Sequence, residues 1–102
     1  MTGQLTLIAR LTARPECAEA LGEALAGLIE PTRNEEGCIE YHLHRDNDDG
    51  CLWILYENWT SRADLDAHFG KPYTRAVLER FPDFLAKDME LTFCSMVPGR
   101  PA

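Results

Sequence analysis

The sequence predicts an α+β fold of the ferredoxin-like type, βαββαβ, with a four-stranded antiparallel sheet and helices on one face. Three observations carry that expectation. Four segments alternate apolar and polar residues with the period of a strand, and the segments between the first and second and between the third and fourth repeat apolar residues with the period of a helix. Only the middle two strands are joined by a short, turn-rich connection. At 102 residues there is room for one domain, residues 1–102, whose core hides roughly two-thirds of the surface that the unfolded chain exposes.

Leu5 to Ala13 is the first strand: Leu5, Leu7, Ala9, Leu11 and Ala13 point one way, and Thr6, Ile8, Arg10 and Thr12 the other. Pro15 and Glu16 suit a first helical turn, where proline has no amide hydrogen to lose and an acid meets the positive end of the helix dipole. Cys17, Ala18, Leu21, Leu25, Leu28 and Ile29 then recur at helical spacing. Pro31 should kink or end that helix, with Gly37 supplying its stop. Cys38 to Arg45 alternates again, Asp46-Asn47-Asp48-Asp49-Gly50 is turn chemistry, and Cys51 to Asn58 completes a hairpin. From Trp53 to Trp59 the alternation puts both tryptophans, Leu55 and Glu57 on one face.

At Thr60-Ser61 the chain turns into a helix in which Ser61 and Asp64 have the spacing of a capping box, with Asp in place of the usual Glu. This helix carries Leu65, His68 and Phe69. Gly70-Lys71-Pro72 breaks and restarts the chain into a second short helix through Tyr73, Val77, Leu78 and Phe81, which Pro82 closes. Met89 to Val97 is the last strand, ended by Pro98-Gly99.

Pairing the hairpin about its turn groups Ile39, Tyr41, Leu43, Ile54 and Tyr56 on one face. The other face then collects Glu40, His42, His44, Trp53, Leu55, Glu57 and Trp59. Neither has the polarity of a solvated surface, so a homodimer packed sheet to sheet is expected.

Formal net charge is −7, with 17 acidic against 10 basic side chains, which disfavours nucleic acid and anionic membrane surfaces as partners. Apolar runs are too short to span a bilayer. No basic region followed by an apolar stretch opens the sequence, so a cytoplasmic location is the default expectation. Cys17, Cys38, Cys51 and Cys94 form no C-x-x-C pair and are widely spaced, which predicts free thiols rather than a metal or disulfide framework. No phosphate loop or nucleophile elbow occurs, so no nucleotide cofactor is implied.

Carrying the helix after Ser61 forward places His68 over the sheet face that bears Glu57, in an aromatic-walled space. An imidazole titrates near neutral pH and a neighbouring carboxylate can orient it, so His68 is the candidate base and Glu57 its orienter. Trp59, Trp53, Leu55, Leu65 and Phe69 are candidate walls for a flat substrate. Tyr73 could reach a substrate hydroxyl, and His42 falls on the same face as Glu57. The alternatives are a hydrogen-bonded core histidine at 68, a Glu57–Arg10 salt bridge, and tryptophans that are simply core. His42-x-His44 with His68 or Glu57 could form a metal site, but that spacing is unspecific and no metal is assigned.

Glu36-Gly37-Cys38-Ile39-x-Tyr41, and Glu57-x-Trp59-x-Ser61 followed by Leu65 and His68, resemble the antibiotic biosynthesis monooxygenase-like family of dimeric α+β barrels, which includes quinol monooxygenases. The likeness runs from Leu5 to about Met96. It implies a small homodimer with a pocket in each subunit between sheet and helices. Some relatives oxidise quinols or phenolic polyketides with molecular oxygen and without flavin or metal, the substrate's own enolate or phenolate donating the electrons. Others degrade heme, and others isomerise autoinducer sugars. Heme-degrading members carry an Asn where Ala9 stands and a His where Leu78 stands, so heme is not expected. The expectation is a cofactor-independent monooxygenase of a small aromatic, quinol or polyketide-like substrate. An isomerase of a small carbonyl compound and a non-catalytic small-molecule binding or stress-response protein are the alternatives.

Overall fold

The computed structural model describes residues 4–99; residues 1–3 and 100–102 of the expected single domain lie outside the described residues. β1 (Leu5–Thr12), β2 (Cys38–Arg45), β3 (Leu52–Trp59) and β4 (Glu90–Cys94) form one sheet in the order β2-β3-β1-β4, every pair antiparallel. Between β1 and β2 lie a single 3-10 turn (Pro15–Cys17), α1 (Ala18–Ala26) and α2 (Ile29–Arg33); after β3 come α3 (Arg62–Phe69), α4 (Pro72–Leu78) and α5 (Phe81–Phe84). This is the predicted ferredoxin-like order. Leu7, Ala9, Leu11 and Ala13 of the first alternating segment are buried with Leu21 and Leu25 of α1, Leu65 of α3, Val77 of α4 and Phe84 of α5, so the helices cover one face of the sheet. Among the described residues no helix is long and apolar enough to cross a membrane.

The hairpin pairs differently from the sequence expectation. Tyr41 stands opposite Glu57, Leu43 opposite Leu55 and Arg45 opposite Trp53, so Tyr41 and Leu43 share the helix face with both tryptophans. Glu40, His42 and His44 lie on the open face with Asn58, Tyr56 and Ile54. The cause is in the turn. The Asp46 carboxylate accepts the backbone N–H groups of Asp48 and Asp49 at 3.0 and 2.8 Å, and Asp46 N–H donates to Leu52 O at 2.9 Å. The connection therefore closes one residue away from the simple alignment, and a one-residue shift exchanges the faces that meet across the hairpin.

Four smaller differences have local causes. The first helix breaks at Gly27-Leu28 and not at Pro31, which sits in the first turn of α2, where a missing amide hydrogen costs nothing. Pro82 lies inside the first turn of α5 for the same reason, and does not close the preceding helix. The last strand stops at Cys94, opposite Thr6, because β1 has almost run out beside it. Gly37 is not the helix stop: that position is taken by Asn34, and the buried Gly37 instead lets the start of β2 pass close to α3, where a Cβ would run into the Asp64 side chain.

Candidate active site

Ser61 fixes where α3 begins: its hydroxyl accepts the Asp64 N–H at 3.2 Å, while the Asp64 carboxylate accepts the hydroxyls of Ser61 and Thr60. Three residues after the fully buried Leu65, on the same side of the helix, His68 is carried inward onto the sheet. Its ring lies 4.9 Å from that of Trp59, 5.6 Å from Phe69 and 5.7 Å, edge-on, from Tyr41.

His68 and Glu57 line one narrow cavity, whose free volume is about 30 Å³. Its floor is Leu7, Ala9, Leu11 and Leu55, and its outer wall includes Phe69, Leu78, Phe81 and Met89. Beside the two titratable groups, Tyr41 and Thr74 are the other polar lining residues. The Thr74 hydroxyl is buried without a hydrogen-bond partner among the described residues, which leaves it free to serve a ligand. Such a space, mostly apolar with a few convergent polar groups, is the form small-molecule sites take.

The two carboxylates near His68 have different tasks. Glu57 accepts the Trp59 indole N–H at 2.9 Å. Burial pushes its carboxyl up from 4.5 to about 7, the indole bond opposing that rise and the Glu35 charge adding to it. The imidazole is bonded elsewhere: His68 Nδ1 lies 2.8 Å from Glu35 Oε2, with both side chains almost inaccessible. The same oxygen accepts the Tyr73 hydroxyl at 2.6 Å. Glu35, not Glu57, is therefore the carboxylate on His68, which corrects the sequence expectation. Nor does Glu57 pair with Arg10, which points from the open face opposite Ile54.

Of the other expected site residues, Leu55 and Phe69 line the cavity. Trp59 and Leu65 stand behind it, and Trp59 serves as the buttress that bonds Glu57 and flanks His68. Tyr73 reaches Glu35. Trp53 is on the correct face but away from the cavity, its indole N–H on Ala18 O at 3.0 Å and its ring under the Arg45 guanidinium. His42 is on the wrong face: it stacks on Tyr56 and lies 3.2 Å from the Arg33 guanidinium, so neither it nor His44 joins Glu57 or His68. Sequence reasoning missed Glu35, Tyr41 and Thr74. For Tyr41 the signal was the alternation of its strand, hidden by the wrong register.

The profile of the antibiotic biosynthesis monooxygenase family matches residues 4–80. Rv0793 of Mycobacterium tuberculosis, a candidate monooxygenase by name, is 36% identical over 92 residues, 90% of each chain. Its solved structure matches with a TM-score of 0.89 at 31% identity, over 96% of this chain and 99% of that one. The crystal structure of PA3566 from Pseudomonas aeruginosa matches with a TM-score of 0.91 at 33% identity, over 96% and 98% of the two chains. An uncharacterised Synechocystis protein, sll1783, is 33% identical over 87 residues, which is 85% of this chain but only 59% of that longer relative.

Proposed function

This chain belongs to the antibiotic biosynthesis monooxygenase family, and on that premise we propose that it is a homodimeric, cofactor-independent monooxygenase that oxidises a small aromatic, quinol or polyketide-like compound with molecular oxygen. The observation that carries the reading is an imidazole backed by a buried carboxylate and opening on an apolar cavity. A phenolic hydroxyl placed there gives its proton to His68, and the electron pair stays on the substrate oxygen. The apolar walls then hold a delocalised, electron-rich anion away from water, the state in which such a ring gives electrons to oxygen without a redox group of the protein's own. The four cysteines are free, which suits the reducing cytoplasm.

A second reading, isomerisation of a small carbonyl compound, is favoured by Glu57. A carboxyl that titrates near 7 beside His68 supplies two proton-transfer groups to one cavity. Oxygen uptake with 1,4-naphthohydroquinone, above the rate of its autoxidation, decides between them. We expect uptake that falls about a hundredfold in a folded His68→Ala variant, the usual scale for a lost general base. Uptake that is unchanged in that variant removes His68 as the base, and proton exchange into a carbonyl substrate without oxygen uptake selects the isomerase.

A further inference from the structure

Glu35 stands in the connection between α2 and β2, and its backbone is pinned on both sides: its N–H donates to Thr32 O at 3.0 Å and its carbonyl accepts the Cys38 N–H at 3.1 Å. Its side chain is equally fixed. One carboxylate oxygen takes both His68 Nδ1 and the Tyr73 hydroxyl. An ionised carboxylate only accepts hydrogen bonds, so the proton between it and the ring belongs to Nδ1. The other ring nitrogen, Nε2, has no hydrogen-bond partner among the described residues, and His68 lines the cavity.

We propose that Glu35 is the positioning residue of the base: it locks His68 as the Nδ1–H tautomer with the Nε2 lone pair presented to the cavity, and Tyr73, from α4, locks Glu35. The inference deepens the function proposed above and rests on it for its catalytic meaning. When a substrate hydroxyl transfers its proton to Nε2, its bonding pair stays on the substrate oxygen and the imidazolium is paired by Glu35, which keeps its own charge. Glu57 and Tyr41 also line this cavity, and Cys38 lies within reach of the Glu35 and Glu57 charges, but none of them is hydrogen-bonded to the ring. The arrangement divides labour between two acids, one that orients the imidazole and one, Glu57, that meets the ligand directly.

The test reads the tautomer without substrate. Long-range proton–nitrogen correlation spectra of the full chain with 15N-labelled histidine, recorded above the imidazole titration, separate Nδ1–H from Nε2–H; a His68→Gln spectrum identifies the signal among the three histidines. Wild type should show a single Nδ1–H pattern for His68. Glu35→Ala should lose it, and Glu35→Gln should keep it, since the amide oxygen still accepts from both donors. With naphthohydroquinone as probe, Glu35→Gln should lower kcat about tenfold or more with KM unchanged, because it orients the ring without pairing its charge. An Nε2–H pattern in the wild type overturns the proposal whatever the variants do. So does an unchanged tautomer in a folded Glu35→Ala, or a lost one in a folded Glu35→Gln. A protein with the expected tautomer that takes up no oxygen refutes the monooxygenase reading and leaves the Glu35–His68 pairing standing.

Discussion

Glu57 makes a buried acid costly, and that cost has a sign. Its carboxyl is almost inaccessible and is pushed from an ordinary 4.5 to about 7, chiefly by burial. Between those values the folded protein binds the proton more tightly than the unfolded chain does. The associated stability is fully present below 4.5 and is lost as pH rises through 7, on the order of 3 kcal/mol in all. Glu57→Gln abolishes that slope, so urea denaturation at pH 5 and pH 8 should show wild type losing stability relative to the variant as pH rises. Parallel changes in the two proteins would mean that this carboxyl does not carry the effect. Residues such as Glu57 and His68 were legible in the sequence because each sits in a periodic element whose facing can be counted. Glu35 was not, since a connecting residue has no period and its partner lies 33 positions away.

At the scale of elements, strands and helices could be placed from their periods, but the fit between elements could not. The register of the hairpin depends on one carboxylate, Asp46, accepting two backbone amides in its own turn, a local bond that hydrophobic alternation does not encode. The seating of α3 depends on an absent side chain. Gly37 and Gly27 separate these effects cleanly. A Cβ at Gly27 meets only ordinary contacts at 3.5 Å and beyond, and the residue already has helical φ and ψ of −64° and −17°. Gly27→Ala should therefore be neutral or stabilise by about 0.5–1 kcal/mol through the unfolded chain. A Cβ at Gly37 collides with Asp64 in the first turn of the helix that carries His68. Gly37→Ala should cost about 1–3 kcal/mol and lower turnover beyond that loss, by moving His68 over the sheet. Equal melting temperatures for the two variants would remove the close approach as the reason for glycine at 37.

For the whole molecule the open face of the sheet poses the remaining problem. The helices cover one side, yet on the other the two central strands present Ile8, Leu52, Ile54 and Tyr56, all only partly buried, with Arg10, Glu40, His42 and His44 around them. Central strands facing water would alternate to polar residues there, so the apolar stripe fits a second copy laid sheet to sheet, within a polar margin of the kind that rims interfaces. Light scattering at micromolar concentration should give a dimer. Ile54→Asp would bury a charge in that dimer but leaves it reachable by water in a single subunit, so the variant should dissociate into monomers that keep their circular dichroism. Glu35, Glu57 and His68 all belong to the helix side of one chain, so the isolated subunit should also retain the His68 tautomer. Wild type that runs as a stable monomer would sink the sheet-to-sheet assembly. An Ile54→Asp protein that unfolds as it dissociates would show that a single subunit cannot stand with this face uncovered.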